Sequence, residues 1–140
     1  MKVLFDTNIV VDQLLAREPF VENAERLLSL VDSGRIDGVI CSTTVTTIHY
    51  LASKAVGAPA ALEYVRALLA IFDVACVDRD VLNGALDLGF SDFEDAVLHE
   101  AARKVGALAI VTRNGKDFTR SVLPVFDPAE LLSAVYADPA

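Results

Sequence analysis

Three groups of oxygen-bearing side chains carry the chemistry open to this sequence. The first is Asp6-Thr7-Asn8, directly after the apolar run Lys2-Val3-Leu4-Phe5. That run reads as a short buried strand, so Asp6 falls at its carboxyl end, where open parallel sheets put their functional groups. A carboxylate there is costly to bury alone, and a metal ion or a set of backbone donors would satisfy it. The second group is Ser91-Asp92-Phe93-Glu94-Asp95. Ser91 with Glu94 three residues on reads as a capping box that starts a helix, and Asp92 also suits a helix N-terminus. On that helix Asp92, Asp95, His99 and Arg103 share one side at spacings of three and four. Val97, Leu98, Ala101, Ala102 and Val105 make the core side. Asp95 borders it and needs a partner, which a cap, a salt bridge or a metal would each provide. The third group is Thr112-Arg113-Asn114-Gly115-Lys116-Asp117. Asn114-Gly115 is a turn signal, while Thr112, Asn114 and Asp117 add oxygens at a strand end. Arg113, Lys116 and Arg120 form the densest basic cluster, which suits a solvated loop and a substrate contact equally.

Alternating apolar runs and amphipathic stretches must position these groups. Strands are expected at 2–6, 39–41, 74–77 and 108–111. A short strand at 123–125 contains Pro124, which has no backbone donor and so belongs at an edge. Helices are expected at 8–17, 20–33 (closed by Gly34), 43–56 (ended by Gly57) and, opened by Pro59, up to 71. Others follow at 80–88 and 92–105, with a last one after Asp127, its N-cap. Strands separated by helices imply an α/β, three-layer α/β/α sandwich around a central, mostly parallel sheet of four to five strands. The expected organisation is a single domain over 1–136 with a frayed tail at 137–140.

Composition narrows the class. A chain of 140 residues, 54% hydrophobic, fits one globular domain with a core of its own. No apolar run approaches the ~20 residues of a membrane span. The start has no signal-peptide pattern, so a cytoplasmic protein is expected. The formal charge of −8 argues against a general polyanion-binding surface. It leaves nucleic acid open as a substrate, because a bound metal and a small basic patch supply local positive charge. Cys41 and Cys76 read as two buried free thiols, without metal-binding spacing.

The three groups together resemble the PIN domain, a fold of metal-dependent ribonucleases that includes the VapC-type toxins. The match rests on Asp6-Thr7-Asn8, on Asp95-Ala96-Val97-Leu98 with Ala101 and Ala102, and on Thr112-Arg113-Asn114 with Asp117-Phe118. The resemblance implies Asp6 and Asp95 as main metal ligands and Asp92 as a further one. Asn114 stands where relatives carry an acid or asparagine, with Asp117 close by, so the implied catalytic set is Asp6, Asp92, Asp95 and Asn114. Thr7, Asn8, Thr47, Thr112, Arg113, Lys116 and Asp117 are the implied substrate-binding or orienting residues. The implied cofactor is Mg²⁺ or Mn²⁺, which prefer oxygen ligands and can activate water for phosphodiester hydrolysis. RNA is the implied substrate, and a cognate antitoxin and a homodimer are the implied partners. Apolar residues on the first helix (Val10, Val11, Leu14, Leu15) and at Leu62, Val65, Leu68, Leu69 and Phe72 could face a second copy or simply the core. One departure stands out: the family's usual glutamate on the helix after the second strand belongs near Thr47, and no acid occurs from Ser42 to Leu62. A module that binds RNA or protein without catalysis is therefore a competing reading. A phosphatase using Asp6 as nucleophile is another, though Asn8 occupies the position where its second acid belongs.

Overall fold

The computed structural model describes residues 1–138. Five strands, β1 (Lys2–Phe5), β2 (Asp37–Cys41), β3 (Asp73–Ala75), β4 (Ala109–Val111) and β5 (Val125–Phe126), form one sheet in the order β3-β2-β1-β4-β5. Every pairing is parallel. The helices are α1 (Thr7–Leu14), α2 (Val21–Asp32), α3 (Ser42–Val56), α4 (Ala58–Ile71), α5 (Arg79–Leu86), α6 (Phe93–Lys104) and α7 (Pro128–Ala137), with a 3-10 turn at Gly115–Phe118.

Two cores explain the layering. Val3 and Phe5 of β1 face one way, against residues of α1, α2, α3, α4 and α7. Leu4 faces the other way, against α5 and α6. Alternate residues of the central strand thus serve opposite cores, which is why its sequence is apolar throughout. At Gly38 of β2 a Cβ would come within 2.8 Å of Phe72 and of both Val31 methyls, so only glycine admits that contact.

The expected α/β/α sandwich is what forms, with five strands, all parallel. Several boundaries differ. The first helix stops at Leu14, and Ala16 takes a positive φ of 51° before the chain turns toward Phe20. Ser91 does not cap α6: Asp92 does, accepting from the backbone of Glu94 (2.8 Å) and Asp95 (3.3 Å). The capping box that does form lies at Asp127 and Glu130. Because β3 ends at Ala75, Cys76 lies past the strand and is exposed; only Cys41 is buried. β5 is one of the two edge strands, and Pro124 sits just before it, offering its carbonyl to Ile110 (3.0 Å). Ala137 closes α7, and Pro139 and Ala140 of the expected tail lie outside the described residues. No helix among the described residues is long and apolar enough to cross a membrane.

Candidate metal centre

The strand order reverses its direction of growth between β1 and β4, and α1 after β1 and the 3-10 turn after β4 pack on opposite faces of the sheet. In open parallel sheets this opens a crevice at the carboxyl ends of the strands. Asp6 follows β1 there, and its backbone N–H extends the ladder to the Val111 carbonyl (3.0 Å), bringing it beside Thr112 at the end of β4. Asp6 is only 7% exposed. Its Oδ1 accepts from the Thr7 backbone (2.7 Å), so it is also the N-cap of α1. Its Oδ2 accepts from the Thr112 hydroxyl (2.7 Å) and, at 3.4 Å, from the Asn8 amide. Burial pushes the Asp6 carboxyl above its ordinary pKa, partly offset by these hydrogen bonds; Glu94 and Asp117 push it further up.

Asp95 enters from α6, on the other side of the crevice. Its half-buried carboxylate receives no hydrogen bond or ion pair among the described residues. Burial first, then the negative charges of Asp6, Asp92, Asp117 and Glu94, raise its pKa to about 7. Five acids from three segments thus share one electrostatic neighbourhood. The N-termini of α1 and α6, capped by Asp6 and Asp92, supply only partial positive charge against them.

The remaining predicted residues fall into distinct positions. Thr112 is fully buried; besides bonding Asp6 it accepts from the Asn114 backbone (3.0 Å). Asn8 also accepts from the Arg113 backbone (3.4 Å), and Thr7 shares a 2.7 Å hydroxyl hydrogen bond with Thr44. Thr47 turns its hydroxyl back to the Thr43 carbonyl on its own helix (3.2 Å). Asn114 is half-buried and Lys116 exposed, flanking Asp117. The basic cluster disperses. The Arg113 guanidinium leaves the acids and grips buried Asp12 at 2.5 and 3.1 Å, while Arg120 lies over Gly89. His99 is buried away from the acids: its Nε2 accepts from the Val122 backbone (3.1 Å) and its ring packs on Phe90.

Sequence reasoning missed Glu94, Thr44 and Asp12. The capping-box reading absorbed Glu94. Thr44 carried no signal beyond being one turn from Thr47. Asp12 carried a signal: an acid between the apolar runs Ile9-Val10-Val11 and Leu14-Leu15 must find a cation if buried.

A family model described as PIN domain matches residues 2–116. The chain belongs to the PIN domain family. No curated protein matched the sequence. Solved structures share the PIN fold. A toxin–antitoxin complex from Klebsiella pneumoniae is 23% identical, with a TM-score of 0.70, 90% of this chain and 97% of that one covered. A DNA-bound VapBC from Salmonella typhimurium is 20% identical, with a TM-score of 0.69 and coverage of 91% and 98%. A sarcin–ricin loop cleaving VapC toxin from Mycobacterium tuberculosis is 19% identical, with a TM-score of 0.63 and coverage of 82% and 92%.

Does this PIN site fit a metal? Among the described residues no three carboxylate, imidazole or thiolate side chains already stand close enough to enclose an ion. The donor chemistry fits nonetheless. All nearby donors are oxygens, the charge is uncompensated, and Mg²⁺ characteristically binds through one or two carboxylates while keeping several waters.

Proposed function

We propose that this PIN domain is a metal-dependent endoribonuclease, acting as the toxin of a toxin–antitoxin pair. One observation carries the reading: Asp6, Asp92, Glu94, Asp95 and Asp117 repel one another across the β1–β4 crevice, and no basic side chain among the described residues pairs with any of them. Asp6 and Asp95 would hold Mg²⁺ or Mn²⁺, with Asp92 and Asn114 beside them. When bound, the ion supplies activation of water and charge to offset the leaving oxygen. The chain does the rest. Thr7, Asn8 and Thr112 fix both oxygens of Asp6 in orientation, Asp92 holds the start of α6 under Asp95, and Asn114 and Lys116 at the rim meet the phosphate backbone. The neighbours described as toxin–antitoxin complexes, and the one described as cleaving the sarcin–ricin loop, support an antitoxin partner and an RNA substrate. Leu62 and Leu69 of α4 are exposed and available to a second copy, whereas Leu68 and Phe72 serve the core; sedimentation of the purified chain tests the homodimer.

The test is RNA cleavage in Mg²⁺ or Mn²⁺ by the wild type, Asp6→Asn and Asp95→Asn. Loss of cleavage in both variants supports the reading; cleavage surviving both sinks it. The second reading, a PIN module that binds without cutting, draws on α3, which presents Thr44 and Thr47 and no acid where a glutamate is expected. Calorimetric titration showing no Mn²⁺ binding, or binding indifferent to Asp6→Asn, would favour it.

A further inference from the structure

A second concave feature includes Arg113, the residue after Thr112. The Arg113 side chain forms part of a cleft of about 320 Å³ lined also by Pro19, Phe20, Asn23, Asp127 and Pro128. That volume is at the low end of the roughly 300–1,000 Å³ of ligand pockets, enough for one flat ring and its substituents. Phe20 is 39% exposed, and the Arg113 guanidinium stacks over one face of its ring at 4.0 Å.

The wall chemistry selects the ligand. Asp12 already neutralises Arg113, taking its Nε and one terminal nitrogen. Asp127 adds negative charge, so the cleft does not suit a phosphate. Among the described residues, Nη1 of Arg113 and the side-chain amide of Asn23 make no hydrogen bond. Together they offer donors and an acceptor beside an aromatic ring and between two rigid prolines, which is the pattern that holds an unpaired base by stacking and by its polar edge. Ala16 adopts a left-handed φ of 51°, costly for a residue with a Cβ, in the loop that delivers Phe20. The Arg113 backbone binds Asn8, which also touches Asp6, so cleft and acids are held in one frame.

We propose that the Phe20–Arg113–Asn23 cleft is a nucleobase slot that seats one unpaired base of the RNA and thereby selects where the chain is cut. The inference rests on the ribonuclease reading. The test uses a labelled single-stranded oligoribonucleotide of about ten nucleotides, with binding followed by anisotropy in Ca²⁺ and cleavage followed in Mn²⁺. Phe20→Ala should weaken binding by ~5- to 150-fold, the usual range for losing one base–aromatic stack, and Phe20→Trp should retain it. An oligonucleotide with a single abasic site at the seated position should bind the wild type as weakly as intact RNA binds Phe20→Ala, and should bind Phe20→Ala no worse than intact RNA does. Unchanged RNA affinity and cleavage position in Phe20→Ala, with cleavage still abolished by Asp6→Asn, overturn the slot and leave the nuclease intact. If that variant instead loses only a co-expressed antitoxin, the cleft docks protein and the proposal fails. Absence of any Asp6-dependent cleavage by the wild type removes both readings together.

Discussion

Asp95→Asn should stabilise the metal-free protein at alkaline pH. The Asp95 carboxyl rises from 3.8 to about 7 on folding, first through burial and then through Asp6, Asp92, Asp117 and Glu94. At ~1.4 kcal/mol per pH unit, that difference corresponds to about 4 kcal/mol against the folded state once Asp95 is ionised. The side chain is half-buried, and solvent screening reduces the net effect to about 1–2 kcal/mol. The sign follows from proton linkage: the folded carboxyl binds its proton more tightly than the unfolded one, so stability falls as pH rises from near 4 to above 7. Below that window both states hold the proton, and wild type and variant should coincide. Above it the asparagine, which cannot ionise, keeps the stability that the wild type loses. Thermal unfolding in chelator at about pH 8 should therefore raise the midpoint of Asp95→Asn by roughly 3–8 °C over wild type, and near pH 4 the gap should close. Excess Mn²⁺ at alkaline pH should stabilise the wild type by ~2–3 kcal/mol at a hundredfold excess over its Kd and the variant by less, narrowing the gap. Equal or lower stability of Asp95→Asn in chelator at alkaline pH, or a gain that persists undiminished at pH 4, would refute the account of a strained acid cluster.

Arg113→Met should cost ~3–5 kcal/mol in urea unfolding, because it removes both short hydrogen bonds to Asp12, which is 1% exposed, and leaves that buried charge only the longer contact to Arg17 at 3.9 Å. Adding Asp12→Leu should recover most of that loss; a double variant as unstable as the single one would show that Arg113 acts through packing on Phe20 instead. His99 should make stability fall as the solution is acidified. Burial lowers its pKa below the usual 6.5, with Glu100 opposing and Arg103 reinforcing the shift. The unfolded chain therefore takes up a proton that the folded one resists, and protonation would displace the Val122 N–H from Nε2. Unfolding midpoints of wild type and His99→Leu across pH 5–7 should differ in slope, and parallel curves would exclude this role.

Parts of the site were legible because local chemistry demanded them. An acid placed directly after an apolar strand had to find a partner, and Asp6 found Thr7, Asn8 and Thr112. Asp127 next to Pro128 marked a helix start, and α7 begins there. Other parts were legible only in type. Arg113 was rightly noticed as a cation beside the site, but its direction depended on Asp12, an acid 101 residues away in sequence. The sequence pattern assigned the cap of α6 to Ser91 with Glu94 and left Asp92 as an acid suited to its first turn, whereas Asp92 is the cap. Packing of Phe90 against His99 and Phe118 accompanies the choice of Asp92.

The sequence by itself determined the elements and the buried central strand, because hydrophobic period, glycine and proline positions, and capping residues act within a few residues of one another; several element ends shifted with packing. It also determined that Asp6 would lie at a strand end. Only the tertiary structure decided what faces Asp6. Parallel pairing of β1 with β4 brings Thr112 onto Asp6 across 106 residues of chain. Packing of α6 against the sheet then brings Asp95 and Glu94 into the same field. Pairing and packing distances of this kind are set by burying both faces of the sheet at once, a condition that no local window of residues contains.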